Sequence, residues 1–108
     1  MNKSKEYKLT ERTIKEFREF KEKAKLGKML QTALVTTPFV SILSSSPVSA
    51  TVHIATSDWE TWGSTLRSMS GFNAATLRRF CDDEILYHKR KNNRDDELFW
   101  VRLRESLN

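Results

Sequence analysis

The N-terminal half of the chain has the pattern of one long amphipathic helix. Its apolar positions recur at helical spacing and are Ile14, Phe17 and Phe20. Thr10 stands where an N-cap is expected, and Pro38 can end a helix. We therefore predict a helix over residues 10–38, after a disordered basic segment over residues 1–9. The Ser- and Pro-rich residues 40–50 predict a loop.

The first part of the C-terminal half predicts a strand followed by a helix. Residues 51–55 (TVHIA) form a short run that is rich in β-branched residues, as is typical of a strand. Ser57 and Glu60 have the three-residue spacing of a capping box. The apolar residues of this segment keep helical spacing and are Trp59, Trp62, Leu66 and Met69. Gly71 is placed to end the helix.

The remainder of the chain predicts a second helix and a hairpin. Asn73 can cap a helix over residues 74–83. Residues 85–91 and 98–104 are two strand-like runs, in which alternate residues would share a face of an extended chain. Residues 92–96 (NNRDD) between these runs have the composition of a turn. We therefore predict that the two runs pair as a C-terminal β-hairpin.

This order of elements resembles the winged helix-turn-helix family. The resemblance covers about residues 10–105 and concerns element order. It implies a small α+β fold, a single winged-helix domain over residues 10–108, with a long N-terminal helix and the C-terminal hairpin as the wing. In that family the helix after the turn enters the major groove, and the wing contacts the backbone or the minor groove. The implied nucleic-acid-binding residues are Asn73, Thr76, Arg78, Arg79, Lys89, Arg90, Lys91, Asn93 and Arg94.

The side chains at these positions have suitable chemistry for DNA. Arg can donate two hydrogen bonds to guanine, and Asn can form two with adenine. Lys and Thr can bind phosphate, which sets register without reading sequence. We therefore predict a DNA-binding protein that regulates transcription or replication by occupying duplex DNA. Arg78 and Arg79 are the leading candidates for base or phosphate contacts.

Charge is distributed unevenly along the chain, whose net charge is +5. Residues 1–50 hold ten Lys and Arg against five Asp and Glu, whereas residues 51–108 hold nine of each. A basic balance fits a nucleic-acid partner. However, two acidic runs, residues 82–84 and 95–97, flank the predicted reading helix and wing. These runs favour an alternative, in which the domain binds protein as an adaptor or an inhibitor.

The N-terminal helix and the segment after it leave two further questions open. The apolar face of the helix needs cover, which either residues 59–80 or a helix–helix seam in a homodimer can provide. Residues 29–50 resemble a secretory signal, so an exported or membrane-associated protein is a second alternative. The segment before them holds five glutamates, and their apolar run is interrupted by Thr, Ser and Pro. We therefore expect a cytoplasmic protein.

Residue types that support catalysis or metal binding are sparse. The single cysteine, Cys81, lies on the apolar side of its predicted helix, which favours a buried thiol. His53 and His88 have no co-ligands at metal-binding spacing. The three glycines form no phosphate-binding loop. We expect no enzymatic activity, no cofactor and no metal site.

Overall fold

This computed structural model describes residues 4–23, 37–44, 49–68 and 73–108. The elements of that part of the chain are β1 (Ser4–Leu9), α1 (Glu11–Lys23), α2 (Thr37–Ser44), β2 (Ala50–Ala55), α3 (Thr56–Arg67), α4 (Ala74–Lys91) and α5 (Arg94–Ser106). Most of these residues are helical, and the strands form one two-stranded sheet. The predicted fold class, an α+β winged helix with a C-terminal wing, is therefore wrong.

Strands β1 and β2 pair antiparallel along their full lengths. Their inward side chains, which are buried against the helices, are Tyr7, Leu9, Val52 and Ile54. The strand predicted over residues 51–55 is confirmed, whereas the disorder predicted over residues 1–9 is wrong for residues 4–9. Lys and Glu occupy outward positions of β1, so its composition is polar although its inner face is apolar. This polar composition led to the wrong prediction of disorder.

The two runs predicted as strands of a wing are helical. Residues 85–91 are the last turns of α4, and residues 98–104 lie within α5. The buried residues of the two helices are Leu77, Cys81, Glu84 and His88 in α4, and Asp96, Phe99, Trp100 and Leu103 in α5. Each set has the spacing of one helical face. Because each set includes polar or charged residues, hydrophobicity alone did not show the helical period.

A two-residue turn joins α4 to α5. Asn92 adopts the left-handed conformation with φ 60°, which Asn tolerates better than most residues. The Asn93 amide donates to the His88 carbonyl at 2.9 Å and so satisfies the end of α4. The last turn of α4 is basic and the first turn of α5 is acidic, which suits the dipoles of both helices. Of the turn predicted over residues 92–96, Asn92 and Asn93 are confirmed, whereas residues 94–96 begin α5, and the turn joins two helices rather than two strands.

Aromatic side chains from four elements form the centre of the core. Phe17 contacts five other rings at centroid distances of 5.5 to 6.5 Å, and these belong to Phe20, Phe39, Trp62, Phe99 and Trp100. The predicted core residues Ile14, Phe17 and Phe20 are all fully buried. The chain's own fold thus covers the apolar face of α1, which leaves these three side chains no exposed surface for a homodimer seam.

Helix α3 has the predicted buried face but begins earlier than predicted. Its buried residues include Trp59, Trp62 and Leu66, as the helical spacing indicates. Asp58 accepts the Ala55 amide at 2.8 Å, so Ala55 occupies the N-cap position that we predict for Ser57. Asp58 has a shorter side chain than Glu60. It stands three residues after its N-cap, as Glu60 stands three residues after Ser57.

Several predicted features lie partly outside the described residues. The predicted helix over residues 10–38 is helical to Lys23, and residues 24–36 are outside the described part of the chain. The predicted loop over residues 40–50 is helical up to Ser44, where α2 ends, and residues 45–48 are again outside. The same holds for Met69 and Gly71, and for most of the signal-like segment.

Candidate functional site

The sequence-predicted DNA-binding residues fall at the two ends of α4. One group stands at its start and consists of Asn73, Thr76, Arg78 and Arg79. The other stands at its end and in the turn beyond, and consists of Lys89, Arg90, Lys91, Asn93 and Arg94. Because a helix rises about 1.5 Å per residue, Arg79 and Arg90 lie roughly 16 Å apart along the axis. The structure therefore does not bring the predicted residues together into one site.

The group at the start of α4 is not the reading helix of a winged domain. The Asn73 side chain accepts the Thr76 amide at 3.1 Å, so Asn73 caps the helix as predicted. Arg78 is half-buried, and Thr76 and Arg79 are exposed. Since residues 85–104 form two helices and their turn, no wing lies beside this group. The roles carried over from the winged-helix family lose their structural basis here.

Four cationic side chains surround the turn between α4 and α5. We call this group the basic tip, and its members are Lys89, Arg90, Lys91 and Arg94. All four are exposed, and none forms an ion pair with another described residue. Lys91 lies near the Tyr87 ring, with its Nζ 5.9 Å from the ring centroid. The basic tip thus presents four solvent-facing positive charges on two adjoining helix ends.

Two of the carboxylates next to the basic tip accept hydrogen bonds from the N-terminal part of the chain. Asp95 accepts the Lys8 amide of β1 at 2.8 Å. Asp96 is buried and accepts the amide and the hydroxyl of Thr10, at 2.9 and 2.8 Å. In the sequence, residues 95–97 offset most of the positive charge of the tip. In the fold, two of these three carboxylates are engaged with β1 and α1, and the cations remain on the outside.

The acidic run at residues 82–84 does not form one surface. Glu84 is buried and accepts two hydrogen bonds from the Arg12 guanidinium, at 2.9 and 3.2 Å. Asp82 pairs with an arginine of α5 at 2.6 Å, and Asp83 is exposed. Two of these three carboxylates therefore hold helices together. Residues 82–84, which in the sequence favour a protein-binding role, therefore do not offer three carboxylates together to a protein partner.

A buried polar network lies beneath the basic tip. Its centre is the Thr13 hydroxyl, which donates to Asp96 and accepts from Trp100 Nε1 at 3.2 Å. His88 Nε2 lies 3.1 Å from the same oxygen. A hydroxyl has one proton and two acceptor lone pairs, so His88 must donate this bond from Nε2. His88 Nε2 also lies 3.5 Å from a Glu84 carboxylate oxygen, and His88 Nδ1 lies 3.1 Å from the side-chain amide of Asn93.

This network has a structural role. A hydroxyl beside an imidazole is an arrangement that activates nucleophiles in some enzymes, but Thr13 and His88 are both fully closed to solvent. Asn93, predicted to contact DNA, is half-buried and bonded to His88. The network joins α1, α4 and α5 and so supports the basic tip. Cys81 is buried as predicted, and this burial raises the pKa of its thiol well above its ordinary value.

The carboxyl group of Glu84 makes stability depend on pH. Burial by itself raises its pKa, but hydrogen bonds from His88 and Arg12 outweigh burial and hold the pKa below its ordinary value. Such a group stabilises the fold above its unfolded pKa of about 4.3. This contribution is lost as pH falls from there through the lower pKa of the folded state.

We therefore expect Glu84→Gln to reduce the loss of stability in acid. Urea unfolding across a series of pH values from neutral to acidic measures this slope. Glu60→Gln is the matched control, because Glu60 is exposed and should leave the slope unchanged. An equal pH dependence in Glu84→Gln and the unsubstituted protein contradicts the assignment.

Comparisons of the chain with protein-family models, with curated proteins and with solved structures find no match. Among the described residues, no helix has the length and apolar character needed to cross a membrane. Nor do any three His, Cys, Asp or Glu side chains in that part of the chain form a group that could hold a metal ion.

Proposed function

We propose that the chain binds duplex DNA through the basic tip, by contacts with phosphates rather than with base edges. The arrangement at the α4–α5 turn supports this proposal, since four exposed cations form no ion pair with described residues, while Asp95 and Asp96 beside them accept hydrogen bonds from Lys8 and Thr10. Contacts from Lys and Arg to phosphate supply the sequence-independent part of DNA affinity. The protein would act by occupying DNA in the cytoplasm, where the sequence leads us to expect it.

The position of the tip also favours binding to a regular array of phosphates. Lys89 and Lys91 end an 18-residue helix, and Arg94 begins the next one. The backbone of the turn is held by the Asn93 amide and by the network around His88. Cations on a fixed backbone lose less conformational freedom on binding than cations on a disordered tail. The tip is thus preorganised at the level of the main chain.

Replacing Lys91 and Arg94 by Gln should weaken DNA binding about tenfold or more at low salt. Each phosphate contact contributes about 0.9 to the slope of log affinity against log salt, so the four-cation tip should give a slope near −3.6. The double variant should reduce its magnitude by about 2. Fluorescence anisotropy of a labelled mixed-sequence duplex, titrated at several salt concentrations, measures both quantities.

A double variant elsewhere in the chain provides a matched control. Lys23→Gln with Arg79→Gln removes the same two kinds of charge from exposed side chains that form no ion pair with described residues. We expect this control to keep most of the affinity and the full slope. Equal losses in the two double variants would assign binding to overall charge. No binding at low salt would exclude the proposed function.

A further inference from the structure

The outward side of α4 carries an exposed leucine within a charged surface. Leu86 is 48 % exposed, the highest value for a large apolar side chain among the described residues. At 100° per residue, it lies opposite the buried residues of the helix, Leu77, Cys81, Glu84 and His88. Leu98 of α5 is 38 % exposed, but it lies beside Tyr7 and Ile54 of the sheet and not beside Leu86. The outward face of α4 therefore has a single large apolar side chain, Leu86.

The charges beside Leu86 have opposite signs on its two sides. Asp83 and Asp82 precede Leu86 by three and four residues, and Lys89 and Arg90 follow it by three and four. All four charged side chains are exposed. Asp83, Lys89 and Arg90 form no ion pair within the described part of the chain. The outward face of α4 thus runs from acidic to basic, with the leucine at its centre.

We infer that this face of α4 packs against the same face of a second copy of the chain, antiparallel, across a two-fold axis at Leu86. In that arrangement the turn before Leu86 meets the turn after it in the other copy, and Leu86 would contact its own counterpart. At 100° per residue, Asp83 and Arg90 lie on one side of Leu86, and Asp82 and Lys89 lie on the other. Because the two-fold axis keeps each side together, Asp83 would face Arg90 of the other copy, and Asp82 would face Lys89. Every charge in this set then meets an opposite charge.

A second copy fits this surface better than the other possible occupants. A two-fold interface uses one patch twice, so the patch must be complementary to itself. A surface with acids on one side of its centre and bases at the same spacing on the other meets that requirement. DNA would be repelled by Asp82 and Asp83. The small apolar area and the exposed ion pairs indicate a weak, salt-sensitive dimer.

Dimerisation of this kind has a consequence for DNA binding, which rests on the proposed function. Lys89 and Arg90 belong both to the basic tip and to the outward face of α4. In the dimer Lys89 would be paired with Asp82 of the other copy and Arg90 with Asp83, whereas Lys91 and Arg94 would stay free. DNA binding and self-association should therefore compete. Added duplex should shift the dimer toward a DNA-bound monomer.

Charge-reversal variants test the dimer without DNA. Sedimentation velocity at low salt, over a wide range of protein concentration, should show a reversible monomer–dimer equilibrium for the unsubstituted protein. Asp83→Lys should weaken dimerisation about tenfold or more, because it places like charges opposite each other on both sides of the axis. Arg90→Glu should do the same, because it places a second acid opposite Asp83. An equimolar mixture of the two variant proteins should dimerise again, since each mixed contact then pairs opposite charges.

The mixing result separates the proposed geometry from a general effect of charge. Glu22→Lys, an exposed acid of α1, is the matched control and should leave the equilibrium unchanged. Leu86→Ala should weaken the dimer in all of the proteins that form one. A protein that stays monomeric at every concentration overturns the inference, as does a dimer that Asp83→Lys leaves intact or a variant mixture that stays monomeric. These outcomes do not depend on whether DNA binds.

Discussion

Asp96→Ala is expected to lower the free energy of unfolding by about 3–5 kcal/mol. Asp96 accepts three hydrogen bonds, from the amide and hydroxyl of Thr10 and from the hydroxyl of Thr13. Its side chain is buried, so water cannot replace the lost acceptor. Each donor left without a partner adds a desolvation cost of about 1–3 kcal/mol. Urea unfolding followed by circular dichroism measures the change.

The neighbouring acid offers a matched control for this prediction. Asp95 has the same side chain but is less buried, and it accepts a single hydrogen bond, from the Lys8 amide. Asp95→Ala should therefore cost only about 0.5–1.5 kcal/mol. Similar losses at the two positions would show that Asp96 is not the acceptor on which the Thr10 and Thr13 donors depend.

Phe17→Ala should destabilise the protein by about 3–5 kcal/mol. The Phe17 ring is fully buried and contacts five aromatic rings that come from α1, α2, α3 and α5. Removing it leaves a cavity whose walls belong to four elements, and those elements cannot all relax into one space. The free energy of unfolding in urea, at neutral pH, measures this loss.

Two further substitutions calibrate the effect of Phe17. Phe17→Leu keeps most of the apolar volume and should fall between Phe17→Ala and the unsubstituted protein. Leu98→Ala removes a large apolar side chain that is 38 % exposed, and it should cost well under half as much as Phe17→Ala. A loss at Phe17 no larger than the loss at Leu98 would contradict the central position of this ring in the core.

The apolar elements of the fold could be predicted from the sequence. The helical spacing of Ile14, Phe17 and Phe20 correctly identified the buried face of α1, and residues 51–55 correctly indicated β2. The helix predicted over residues 74–83 is the first part of α4, but the rest of α4 and all of α5 were missed, because their buried faces include Glu84, His88 and Asp96. A pattern based on hydrophobicity assigns such residues to the solvent-exposed face. Their partners, which make burial possible, lie more than 70 residues away in the chain.

One signal for these helices was present in the sequence. Phe99, Trp100 and Leu103 have helical spacing, and basic residues before Asn92 with acidic residues after Asn93 match the two dipoles of a helix–turn–helix. The alternative interpretation, a hairpin, fits the same residues because short apolar runs satisfy both periods. Only the positions of the buried polar residues distinguish the two.

For the candidate site too, the sequence determined some features and the tertiary structure decided others. The sequence by itself determined which cations are available, since Lys89, Arg90, Lys91 and Arg94 were named as wing residues through the resemblance to the winged-helix family. It also determined the local capping at Asn73. Only the tertiary structure decided that these cations surround a turn between two helices, and that Asp95 and Asp96 accept hydrogen bonds from Lys8 and Thr10. Side-chain direction depends on partners from distant segments, here β1 and α1, and a local pattern of charges does not contain that information.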